Sequence, residues 1–336
     1  MTPERQAAPN LGEHRPNMFR TVLARFVVMT VAFPALMQAA NAVDRSAFNG
    51  FDVANALIPL DAIERGGPPK DGIPAIDRPN FITAPAARLQ PTDRVLGLQF
   101  QGIAKAYPVR ILNWHEVIND RFGAVPVAIT YCPLCGTGIA FDARLGDKVL
   151  NFGVSGLLYN SDVLLYDRGT DSLWSQLKQL AVAGPLKGTS LTALPLEHTT
   201  WKDWLARHPG TLVLSTETGF VRDYGRDPYE GYDKVARLMF SVSHRDERIP
   251  VKEWVLGVAI GTARKAYPFS ALDRATGGAG EIKDSVGGQP VVVRYDRENR
   301  TARAFDAQQQ PLPGVMAFWF AWVAFNPGTE VFSPAR

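Results

Sequence analysis

Apolar and polar positions alternate along much of the chain, the pattern of strands with one covered face. Val95, Leu98 and Phe100, then Ile103, Ala104 and Tyr107, form two such runs around Gln101-Gly102, which predicts a hairpin. The apolar run Val125 to Thr130 predicts a buried strand, and Leu212 to Leu214 another. Helical spacing is rarer. A short helix is expected over Asn113 to Asp120, and Trp201 and Trp204 sit three apart on a helix ended by Pro209-Gly210. The aromatic-rich stretch Val315 to Phe325 reads as a core helix.

The patterns return in the same order. Val95-Leu96-Gly97-Leu98 is echoed by Val255-Leu256-Gly257-Val258, and Lys105-Ala106-Tyr107-Pro108 by Lys265-Ala266-Tyr267-Pro268. Phe141-Asp142 is echoed by Phe305-Asp306, and Trp201-Lys202-Asp203-Trp204 by Trp319-Phe320-Ala321-Trp322. The expected fold is therefore a β-rich α+β protein whose two tandem related halves, 93–245 and 246–336, pack into one globular unit, preceded by an extension over 43–92. The first half carries an insertion between Asp142 and Trp201. The second has Asp296 where the first has Cys132 and nothing matching Trp114-His115, which predicts one active and one structural half.

Residues 1–42 read as a signal peptide, with Met18 as an alternative start. Arg20 and Arg25 precede the apolar stretch Phe26 to Met37, and Ala40 and Ala42 supply a small-residue cleavage site. The stretch is too short for the ~20 residues a spanning helix needs, and Pro34 interrupts it. A periplasmic or secreted protein with no membrane span in the mature chain is expected. A net charge of +3 with scattered Lys and Arg gives no basic stripe, so nucleic acid is not an expected partner.

The chemistry concentrates at the 2 cysteines of the chain, in Tyr131-Cys132-Pro133-Leu134-Cys135-Gly136-Thr137. Two thiolates separated by two residues can face one centre, and Gly136 can take the positive φ that closes the turn. The pair reads as half of a metal site or as a redox dithiol. His115, one strand away, completes a Cys2His set with an open position for copper or zinc. A redox or metal-dependent enzyme and a metal carrier both fit such ligands, with the small-molecule ligand or delivery partner unspecified. His198, His208 and His244 read as ordinary packed, capping or linker residues. The insertion mixes aromatics with polar side chains, and Ser155, Tyr159, Asn160, Ser161, Asp167, Arg168 and Trp174 are expected to line a pocket over the site. The alternatives are a thiol–disulfide protein with Cys132 as nucleophile, or a disulfide that staples a turn. A thioredoxin-type arrangement fits less well, because Gly136 and Gly138 make a poor helix start after the cysteines.

Asn-Trp-His-Glu, Thr-Tyr-Cys-Pro-Leu-Cys-Gly-Thr, Phe-Gly-Val-Ser-Gly-x-Leu-Tyr-Asn-Ser, Tyr-Asp-Arg-x-Thr-x-Ser-Leu-Trp-Ser-Gln and Arg-Asp-Tyr together resemble the bacterial and archaeal domain-of-unknown-function family numbered 3179, from about Val95 to Phe332. The resemblance implies no activity. It implies that His115, Cys132, Cys135 and the Ser155 to Gln176 segment belong to one pattern.

Overall fold

The computed structural model describes residues 44–334, and the expected signal peptide lies outside them. The described residues are β-rich, with 41% strand and 14% helix. Its five main sheets are arranged as the blades of a five-bladed β-propeller, not as an α+β fold of two tandem halves. Blade I is built from Ile63–Arg65, Phe152–Tyr159, Asp162–Asp167, Leu173–Ser175 and Leu180–Ala183, in that spatial order. Blade II runs Thr192–Leu194, Thr137–Asp142, Val125–Cys132, Val117–Phe122. Blade III runs Glu197–Thr200, Arg94–Phe100, Ile103–Pro108, Leu212–Leu214, Phe81–Thr83. Blade IV is the meander Ala279–Val286, Gln289–Asp296, Thr301–Phe305, Pro311–Leu312. Blade V runs Val315–Phe318, Trp254–Ile260, Ala263–Pro268, Glu330–Val331.

The correction has a physical cause. The insertion in the supposed first half folds with Ile63–Arg65 of the extension into a sheet of its own, blade I. The helices are only connectors: α1 (Val109–His115), α2 (Trp201–Arg207), α3 (Phe269–Thr276) and α4 (Trp319–Phe325). The expected helix over Asn113 to Asp120 ends at His115, because Glu116 adopts φ 57 and Val117 starts a strand. The expected helix over Val315 to Phe325 is a strand to Phe318 and a helix after it.

Neighbouring blades are joined by shared apolar clusters and by polar clasps. Blades I and II bury Phe152 and Val154 with Val117 and Phe141. Blades II and III bury Ile118, Phe122 and Ile129 with Leu96, Leu98 and Tyr107. Lys105 crosses this second junction, donating from Nζ to both Asp120 oxygens at 2.8 Å. Blades III and IV are clasped by a hydrogen bond from Thr200 Oγ1 to Asn299 Oδ1 at 2.5 Å. Blades IV and V bury Val291, Val293 and Tyr295 with Leu256, Val258 and Tyr267. Helix α4 closes the circle against blade I, with Phe325 edge-on to Tyr159 at 5.5 Å between ring centres.

The tryptophans that stood out in the sequence explain the recurring glycines. A Cβ on Gly97 would come within 2.2 Å of the Trp204 ring, and one on Gly257 within 2.2 Å of Trp322. Each indole lies flat against a strand at the one position that lacks a side chain. Gly97→Ala forces the fully buried Trp204 to move and is expected to lower stability by about 1–3 kcal/mol, read as a lower urea midpoint with an unchanged slope.

Candidate metal centre

The cysteine turn follows from the hairpin of blade II. Val125–Cys132 and Thr137–Asp142 pair in antiparallel register, with Cys132 opposite Thr137. Between them, Gly136 N–H donates to Pro133 O at 3.4 Å and Gly136 takes φ 64. Only glycine suits that position. Its φ is left-handed, and a Cβ would lie 2.5 Å from the Trp254 ring. Both cysteines are free and buried.

The third member of the site comes from blade I. Phe152–Tyr159 and Asp162–Asp167 are joined by Asn160 and Ser161 at φ 52 and φ 61, the two left-handed residues a tight two-residue hairpin requires. The turn is pinned from outside. Ser243 N–H donates to Asn160 Oδ1 at 2.7 Å, and Ser161 Oγ donates to Phe240 O at 3.1 Å. The next residue, Asp162, thereby meets the thiols: Cys132 Sγ, Cys135 Sγ and an Asp162 carboxylate oxygen all lie within 4.8 Å of one another. Leu177 N–H donates to Asp162 Oδ2 at 3.0 Å, while Asp162 Oδ1 is buried without a partner. Cys135 Sγ–H donates to Ser161 O at 3.3 Å.

This is an acidic, dry place. Burial pushes the Asp162 carboxyl up to about 7. It pushes the Cys132 thiol up as well, and the Cys135 thiol further. Glu116 is buried alongside, and desolvation together with the charge of Asp162 carries its carboxyl up to about 8. A group of two thiols and a carboxylate, with one oxygen lacking a hydrogen bond, is one that can hold a metal ion.

His115 stands outside that group. Both ring nitrogens are already engaged, Nδ1 at 2.7 Å from Pro74 O and Nε2 at 2.6 Å from Tyr224 Oη. Nδ1 donates to the carbonyl, which leaves Nε2 to accept from the tyrosine; burial keeps the ring neutral by lowering its pKa. The place expected for His115 beside the two sulfurs is taken by Asp162. Sequence spacing could not show this, since Asp162 lies on another blade. The available signal was the Asn160-Ser161-Asp162 turn itself.

The residues expected to line a pocket do structural work in blade I and at its borders. Ser155 Oγ accepts from Leu157 N–H at 3.0 Å across a strand irregularity. Asp167 accepts from Thr170 N–H at 2.8 Å and from Trp174 Nε1 at 3.1 Å, which ties a turn to a buried indole. Arg168 donates to Tyr166 Oη at 2.9 Å and to Asp71 at 3.1 Å. Tyr159 packs on Phe325, and Asn160 and Ser161 hold the turn before Asp162. None of them lines the cavity of about 310 Å³ that touches the cysteine turn at Pro133 and Gly136. That cavity is walled instead by residues including Tyr131, Tyr229, Tyr232 and Trp254. Tyr232 Oη is buried without a partner, and burial with the nearby Cys135 and Cys132 raises its pKa.

A family model described as a protein of unknown function, DUF3179, matches residues 70–329, most of the chain. The chain belongs to that family. The matched stretch of the chain includes Cys132, Cys135 and Asp162, and Glu116 and His115 as well. No curated protein and no solved structure matches the chain. Among the described residues no helix is long and apolar enough to cross a membrane.

The raised carboxyl gives metal-free protein a signed pH response. Unfolded, Asp162 titrates near ~4; folded, it titrates at about 7. Its contribution to stability is present below about pH 4 and lost as pH rises through 7, because the unfolded chain then releases the proton more readily. Asp162→Asn is expected to flatten the fall in urea midpoint over that window in metal-free protein; an unchanged slope contradicts the assignment.

Proposed function

We propose that this DUF3179 protein is an exported metalloprotein in which Cys132, Cys135 and Asp162 bind one transition-metal ion, zinc in preference to copper. What carries the reading is the orphaned Asp162 Oδ1 held within 4.8 Å of two free, buried thiols. A buried carboxylate oxygen without a partner is costly, and a cation would satisfy it together with both sulfurs. The mixed sulfur and oxygen set suits zinc, whereas an all-sulfur set would suit Cu(I) better.

Three protein ligands leave one position open, and a metal there supplies a Lewis acid that can polarise a bound water or carbonyl. The chain's own part is to keep bulk water out and to hold a proton nearby. In the metal-free chain, desolvation and the charge of Asp162 raise the Glu116 carboxyl to about 8, so that it can hold a proton beside the site. The thiol–disulfide alternative has less support. Its nucleophile must be a thiolate, and burial raises the pKa of both thiols.

Elemental analysis of the purified protein is expected to find about one zinc per chain. Asp162→Ala and Cys132→Ser should each abolish stoichiometric retention, while His115→Gln keeps it even if it lowers stability. Metal that survives Asp162→Ala but disappears with His115→Gln would exchange the ligand assignments, and metal-free protein whose thiols form a reversible disulfide would replace the proposal.

A further inference from the structure

The cavity beside the cysteine turn is lined by charges of both signs, Arg94, Lys234 and Arg300 against Asp227, Glu230 and Asp233. Arg94 opens the strand Arg94–Phe100 and reaches across the clasp between blades III and IV. Its Nη1 donates to Asn299 O at 2.6 Å and its Nη2 to Arg300 O at 3.0 Å. A guanidinium has five N–H donors, so the rest of the fork is free. Arg94 makes no ion pair among the described residues, since the nearby Asp203 is taken by Arg207 at 2.6 Å. The charge that acts on it most strongly is another cation, Arg300. Desolvation first and Arg300 second hold the Arg94 guanidinium down to about 10. It therefore keeps its charge at neutral pH in a place that disfavours charge.

A second donor sits on the same wall. His198 is buried, and its Nε2 lies 3.0 Å from Gly138 N–H and 3.4 Å from Gly138 O; the shorter contact makes Nε2 the acceptor. Burial holds the ring far below its ordinary range, at about 3, so it is neutral. Its proton is then on Nδ1, which makes no hydrogen bond among the described residues. Part of the remaining wall is aromatic: Trp254 packs on Phe318 at 4.5 Å between ring centres and edge-on to His198 at 6.4 Å, with the Tyr131 ring 6.4 Å from the imidazole. Asp227, Glu230 and Asp233 also face the cavity. Asp227 is occupied by Asn113 Nδ2 and Tyr229 N–H at 2.9 Å each. These acids disfavour a doubly charged anion.

We infer that this cavity binds a small organic monocarboxylate, with the carboxylate on the free donors of Arg94 and on His198 and the apolar body against Trp254 and Phe318. A volume of about 310 Å³ admits a molecule of one ring or a short chain. A guanidinium fork matches the two carboxylate oxygens, and the aromatic wall replaces water over the rest. The inference does not rest on the metal, although Pro133 and Gly136 place the bound molecule against the turn that carries both thiols.

The test is calorimetric titration of the full-length mature protein, both as isolated and after chelator dialysis, with benzoate, benzyl alcohol and inorganic phosphate as probes. Benzoate is expected to bind in both preparations at least about tenfold more tightly than either other probe, because only it offers a charge-assisted bidentate contact and a ring. Arg94→Met should weaken benzoate at least about tenfold, and Arg94→Lys less. Because Arg94 also clasps two backbone carbonyls, Trp254→Ala supplies an independent variant, expected to weaken benzoate several-fold at an unchanged pH dependence. The inference is overturned if benzoate binds no better than benzyl alcohol, if phosphate binds as well as benzoate, or if folded Arg94→Met and Trp254→Ala both retain full affinity. Loss of benzoate binding in the chelated preparation alone would move the carboxylate from Arg94 to the metal and equally overturn it.

Discussion

Two thiols and a carboxyl are buried together, a second carboxyl is buried alongside, and among the described residues no cation pairs with either carboxyl. Everything around the centre follows from keeping that arrangement in place. The cysteine turn can exist because Gly136 has no side chain to strike Trp254. The aspartate can be delivered because Asn160 and Ser161 both accept left-handed backbone and are tied to Ser243 and Phe240. Electrostatic cost of this kind is relieved by protonation or by a cation. The raised carboxyls show the first route; metal coordination is the second.

The centre lies at a junction and not within one blade. The sulfurs belong to blade II and the carboxylate to blade I, while blade V is held to the same turn by Phe318 N–H donating to Cys135 O at 2.9 Å. Three sheets thus fix one small volume. The neighbouring cavity is framed by the same turn, by the edge of blade III and by the 227–234 segment. His115 contributes at a distance by holding Tyr224, whose hydroxyl also lies 2.6 Å from Thr218 Oγ1, so the imidazole anchors the loop that continues into the cavity wall.

The cysteine pair was legible in the sequence because its geometry is local: six consecutive residues make the strand end, the turn and the glycine. Strands such as Arg94–Phe100 and Ile103–Pro108 were legible for the same reason, since alternation and Gln101-Gly102 encode a hairpin without help from elsewhere. Asp162 was not legible, because the contact that matters is made between blades and no spacing along the chain reports it. His115 looked like a ligand through proximity in sequence, yet its partners Pro74 and Tyr224 come from distant segments. The five-sheet arrangement was hidden by the echoed motifs. They pair blade III with blade V, which share the Gly–Trp packing, and blade II with blade IV, and the eye groups them into halves while blade I carries no echo at all.

The stretch matched by the family begins after Ile63–Arg65 and ends just before Glu330–Val331. Those two short segments are the outermost members of blades I and V, and they cover Leu157–Tyr159 and Lys265–Ala266 respectively. A version trimmed to the matched stretch would bare two rows of main-chain donors and acceptors, ready templates for a foreign strand. One of those rows leads directly into the bend that sets Asp162. The physical unit is therefore larger than the recognisable one, and its flanks cover edges that would otherwise be open to pairing.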